Sequence, residues 1–92
     1  MSDMARKRKA QNVQTGKRLK LLRKVHGYEK MRYAASAFGI HEDTWRAWEL
    51  GDNEIPIYMV ERLFVKWGAD YNYIYGGIET ALPPPLLAKL RS

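Results

Sequence analysis

Short stretches of helical spacing, each closed by a single glycine, organise the chain from Thr15 onward. Leu19, Leu22 and Val25 recur every three residues while Lys17, Lys20 and Lys24 lie off that stripe, which predicts a first helix capped by Thr15 and ended by Gly27. A second helix is expected over 29–38, with Met31, Ala35 and Phe38 on one face and the small residues Ala34, Ser36 and Ala37 allowing another helix to approach. Gly39 stops it, and Ile40 returns to the core. The third opens at His41, Glu42, Asp43 and Thr44, where carboxylates complement the dipole of a first helical turn. Trp45 and Trp48, one turn apart, form its buried side, leaving Glu42, Asp43, Arg46, Ala47 and Glu49 more exposed before Gly51. Residues 52–56 read as a loop. The fullest pattern is Val60, Leu63, Phe64 and Trp67 at i, i+3, i+4 and i+7, predicting a fourth helix over 57–67 ended by Gly68. Asp70 can cap a last turn over 71–75, whose aromatic residues read as a lid on the core rather than a base-stacking platform.

Outside 15–77 the pattern changes. Residues 1–14 carry almost no large apolar side chains, so burial cannot offset their ordering entropy and a flexible basic arm is expected. In the tail, 78–92, Pro83, Pro84 and Pro85 favour an extended polyproline stretch. Leu86, Leu87 and Leu90 follow at amphipathic spacing, either for a partner or for packing on their own domain. The expected fold is therefore all-α, with one domain of five helices, a disordered basic N-terminal arm and a short Pro-rich tail.

Charge adds a direction to this picture. Up to Arg32 the chain has eleven Lys/Arg against two carboxylates, a net of +9; from Tyr33 it has five against eight, a net of −3. A basic arm followed by a basic helix can neutralise phosphates and release their counterions, so nucleic acid is the first partner to consider. There is no cysteine, hence no disulfide framework or thiolate metal site. The basic start is followed by Gln11, Asn12 and Gln14 instead of an apolar signal core, and no apolar run approaches a membrane span. A soluble cytoplasmic protein is expected.

Ala35, Phe38, Gly39, Ile40, Thr44, Trp48, Glu49, Gly51 and Pro56, followed by Asn72, Tyr73 and Ile74, form a spaced string over about two thirds of the chain. That string resembles the phage-repressor, Cro-like (xenobiotic-response-element) family of helix-turn-helix DNA-binding domains. The resemblance implies a repressor-like five-helix fold, a homodimer on a two-fold symmetric operator of double-stranded DNA, and control of transcription. It further implies that Ala35 and Gly39 permit tight helix packing, that Ile40 and Trp48 are core, and that Glu49 pairs with a first-helix arginine, here Arg23. The base-reading positions would be Glu42, Asp43, Thr44, Arg46 and Ala47. Glu and Asp can accept from cytosine N4, and Arg46 can take guanine O6 and N7. Met31 stands where the family commonly has a phosphate-holding Gln, and the loop before Pro56 is acidic, with Asp52 and Glu54. Phosphate contacts therefore fall to Lys17, Lys30, Arg32 and His41, and to Arg6, Lys7, Arg8 and Lys9, which resemble the arms some phage repressors wrap round DNA.

Catalysis is not expected, nor is a cofactor or metal. No phosphate-binding Gly-rich loop or His-Glu-x-x-His occurs, neither histidine has a third ligand nearby, and no serine sits in a nucleophile elbow. The adjacent Glu42 and Asp43 splay by about 100° on a helix instead of facing each other as an acid/base pair. Two other readings remain. One is a protein-binding module, an antitoxin or anti-activator, using an acidic face of Glu42, Asp43, Asp52 and Glu54; the other is general nucleic-acid coating by the arm.

Overall fold

The computed structural model describes residues 3–92, all helix and connection with no strand among them. Six helices follow in order: α1 Asp3–Val25, α2 Met31–Ala37, α3 Glu42–Leu50, α4 Ile57–Trp67, α5 Tyr71–Gly76 and α6 Pro84–Arg91.

The first helix is longer than its apolar stripe. Expected from Thr15, it runs back to Asp3, so the arm forms its opening turns; Met1 and Ser2 lie outside the described residues. Helix nucleated over 15–25 propagates cheaply through Ala5, Arg6, Lys7, Arg8, Lys9, Ala10 and Gln11, which are good helix formers without glycine or proline. Two contacts also tie this stretch down. Lys9 Nζ donates to the Gly51 carbonyl and to Asp52 Oδ1, both at 2.9 Å, and Val13 lies against Gly51. Thr15 is thus a buried mid-helix residue and not a cap.

Helices α1 and α3 meet backbone to backbone. A Cβ on Gly16 would stand 2.4 Å from the Glu49 carbonyl oxygen and 2.5 Å from that of Trp48, so only a glycine admits this approach. Beneath the crossing, Leu19 and Leu22 pack with Ala34, Ala35, Trp45, Ile55, Met59, Val60, Leu63 and Ile74 in one core. Phe38 and Trp67 meet edge to face at 4.9 Å, and His26 stacks on Trp67 at 4.5 Å while its Nδ1 lies 2.7 Å from the Leu22 carbonyl at the end of α1.

Two further expectations need correction, on α4 and on the tail, while 52–56 is the loop expected. Phe64 is exposed and Met59 takes its place, so the buried stripe of α4 is 59, 60, 63 and 67. Ile55, inside the 52–56 loop, is core, and its carbonyl accepts from the Tyr75 hydroxyl at 2.6 Å. The prolines do not extend the tail. With its fixed φ and missing N–H, Pro84 suits the first position of a helix, and α6 follows. Leu86 is buried and Leu87 and Leu90 pack against the same core, so the leucines serve their own domain and the described residues form six helices, not five.

Candidate nucleic-acid interface

The connection between α2 and α3 is short and held by backbone hydrogen bonds. Gly39 N–H donates to Ser36 O at 3.0 Å and Ile40 N–H to Ala35 O at 2.8 Å, which turns the chain so that α3 packs across α2. His41 caps α3, its Nδ1 accepting from the Asp43 N–H at 3.1 Å. Trp45, Trp48 and Glu49 face inward, leaving Asp43, Thr44 and Arg46 exposed and Glu42 and Ala47 half-buried on the outer side. All five expected base-reading residues therefore share the outer surface of one helix.

A buried polar cluster fixes the orientation of that surface. Arg23 Nε donates to Glu49 Oε2 at 2.7 Å and Nη2 to Oε1 at 3.1 Å, the pair implied by the resemblance. The same Oε2 accepts from Trp45 Nε1 at 2.5 Å, and Arg23 Nη1 donates to the carbonyls of Tyr28 (2.8 Å) and Glu29 (2.6 Å). One guanidinium thus joins α1, α3 and the turn leading to α2. Helical periodicity alone put Glu49 on a more exposed face; it is buried because this cation comes to it.

On the outside, the charges of α3 satisfy one another. Arg46 Nη2 donates to Glu42 Oε2 at 2.7 Å and Nη1 to Asp43 Oδ1 at 2.8 Å. The first turn of α3 therefore carries a clamped arginine with a net charge of −1. Arg32, at the start of α2, donates to the Tyr33 hydroxyl at 3.1 Å and lies over that ring. The hydrogen bond to Tyr33 foremost, and the Glu42 carboxylate more weakly, push the pKa of Arg32 up, so Arg32 stands close enough to the first turn of α3 to feel its charge. Lys30 is the exposed cap residue of α2, and Lys17 is exposed on α1.

No family model, curated protein or solved structure matches the chain.

The other expected sites are spread out. Arg6, Lys7, Arg8 and Lys9 occupy one turn of α1 and step round its circumference by about 100° each, so no single surface collects them. Lys9 is engaged at the far end of α3, clasping Asp52. The acidic residues divide in the same way: Glu42 and Asp43 open α3, whereas Asp52 and Glu54 follow its last turn, about 13 Å along the axis. Sequence reasoning missed Arg62 and Lys66. Arg62 donates to the Phe38 carbonyl and Lys66 to that of Ala37 at 2.8 Å, supplying donors that the C-terminus of α2 lacks, with both cations beside the Phe38 ring. Nothing local signals them, because their acceptors are 24 and 29 residues away. Among the described residues no group of three or more His, Asp or Glu side chains could hold a metal, and no helix is long and apolar enough to cross a membrane.

Proposed function

We propose that the chain is a sequence-specific DNA-binding transcriptional regulator of repressor-like helix-turn-helix type, a homodimeric repressor or autoregulator of phage or mobile-element kind working on the nucleoid in the cytoplasm. The observation that carries this reading is the outer face of α3: Asp43, Thr44 and Arg46 stand exposed on a helix braced from behind by Arg23, Glu49 and Trp45. A base-reading side chain needs such a backing, since a loosely held helix would spend contact energy on being ordered. Lys17, Lys30 and Arg32 supply phosphate contacts that set register, and the cations in the first turns of α1 add salt-dependent affinity.

The Arg46 clamp shapes how a base would be read. An exposed ion pair is worth about 0–1 kcal/mol, whereas a bidentate arginine on guanine O6 and N7 gives about 1–3 kcal/mol of discrimination. Arg46 can therefore exchange a carboxylate for guanine, and the freed Glu42 or Asp43 can accept from a nearby cytosine N4. Without a guanine at that position the carboxylates face the phosphates with less compensation, so a wrong sequence is penalised as well as left unread. The acidic groups at the two ends of α3 favour the alternative, a protein-binding module, at one end at a time.

Fluorescence anisotropy separates these readings. A preference for the duplex upstream of the protein's own gene over a scrambled duplex, persisting at raised salt, is the expected result. Equal binding to both that vanishes with salt would defeat operator recognition and leave only arm electrostatics.

A further inference from the structure

Helix α1 carries a line of cations on its outer face. Arg6, Lys17, Lys20 and Lys24 stand at i, i+11, i+14 and i+18, which at about 100° per residue places them within about 60° of one another. Leu19 and Leu22, which enter the core, point about 140–160° away from Arg6. All four cations are exposed, and the line runs for about 27 Å along the helix axis. None of the four forms an ion pair with another described residue. Glu29 lines a hollow beside Lys24 without pairing with it. Between Arg6 and Lys17 the face holds Ala10 and Val13, and the bonds of Lys9 to Gly51 and Asp52 help hold this stretch in the helix. The line therefore exists before any partner arrives.

We propose that this line is a track for the backbone of double-stranded DNA, with Lys20 and Lys24 as phosphate contacts beside Lys17 and Arg6. Unpaired cations in a row on one preformed element can each neutralise a phosphate and release its counterions. Helix α1 has no aromatic side chain on which an unstacked base could lie, the device single-strand binders use, so the track holds backbone and reads no base. A membrane surface would need an apolar face beside the cations, and the apolar stripe of α1 is buried in the core. An acidic protein would need large anchoring side chains at the centre of the contact, and between Arg6 and Lys17 this face offers only Ala10 and a half-buried Val13. A duplex, with its regular phosphates, asks for neither.

The track needs DNA as its partner, and so rests on that part of the proposed function, but it needs no base reading. Each phosphate neutralised contributes about 0.9 to the slope of log affinity against log salt. Lys20→Gln with Lys24→Gln should therefore flatten that slope by about 2 on a scrambled duplex, so that the affinity lost between about 50 and 200 mM salt becomes roughly tenfold smaller. The melting temperature should stay within a few degrees of wild type, both side chains being exposed. Lys89→Gln with Arg91→Gln removes the same charge from α6 and should leave the slope as it is. Equal flattening by the two pairs would mean that net charge and not position attracts DNA, and no flattening by the first pair would take α1 away from the phosphates; either overturns the track. A single-stranded oligonucleotide of equal length that binds more tightly than the duplex and loses as much to the first pair would overturn it too. Operator recognition is decided separately. Flattening without preference for the upstream duplex defeats base reading alone, whereas preference with an unchanged slope defeats the track alone.

Discussion

Replacing Arg23 with alanine removes the one cation that joins α1, α3 and the turn to α2. Glu49 would keep the Trp45 N–H on Oε2 but lose both guanidinium bonds, leaving Oε1 without a donor in a site where both side chains are at most 4% exposed. Stranding one member of a buried ion pair costs about 3–5 kcal/mol. The Tyr28 and Glu29 carbonyls lose their donor as well. A domain of this size has roughly 5–15 kcal/mol of stability in all, so Arg23→Ala should remove a large part of it and lower the melting temperature by more than ~10 °C. Urea and thermal melts followed by circular dichroism and tryptophan fluorescence read this directly. The double variant Arg23→Met with Glu49→Leu should be less damaging than Arg23→Ala, because it leaves no stranded charge. DNA affinity should fall together with stability in Arg23→Ala. A melting point within a few degrees of wild type would refute the bracing argument, and lost affinity at unchanged melting temperature would make Arg23 a phosphate contact instead.

Gly16→Ala should destabilise by about 1–3 kcal/mol or more in urea melts, since its methyl group would meet the Trp48 and Glu49 carbonyls and not a side chain able to move; a neutral change would mean that α1 and α3 do not cross there. Arg46→Ala should leave stability within about 1 kcal/mol, its pairs being exposed, and should reduce the preference for operator over scrambled duplex in anisotropy. Glu42→Ala combined with Asp43→Ala should raise affinity for scrambled DNA and change the preferred sequence in a selection from random duplexes; an unaltered preference would remove both from base reading. Deleting residues 1–9 should reduce the salt slope of binding and also cost a little stability through the lost Lys9 bonds to Gly51 and Asp52. An unchanged slope would show that the first turns of α1 do not meet phosphates.

The helices at 31–37, 42–50 and 57–67 were legible because their signals are local: three- and four-residue apolar spacing, a capping residue, a glycine where the helix stops. The Arg46 clamp is local too, at i−3 and i−4, and was open to the same reading. The prolines misled because their fixed φ serves an extended segment and a first helical turn equally. Phe64 and Met59 show the limit of periodicity, which says that α4 has two faces without saying which meets the core. That choice belongs to Leu19, Leu22, Phe38 and Trp45, whose packed shapes select the stripe that fits. The Arg23 pair with Glu49 spans 26 residues and was reached only through resemblance. Gly16 carries no local signal of its role, which exists only because α3 lies across it. The sequence by itself thus determined that the chain is helical, where α2 to α5 begin and end within a turn or so, and that its positive charge gathers at one end. Tertiary structure alone decided which stripe is buried, which charges are clasped and which face of α4 is left open, because burial, desolvation and backbone approach depend on what comes from elsewhere in the chain.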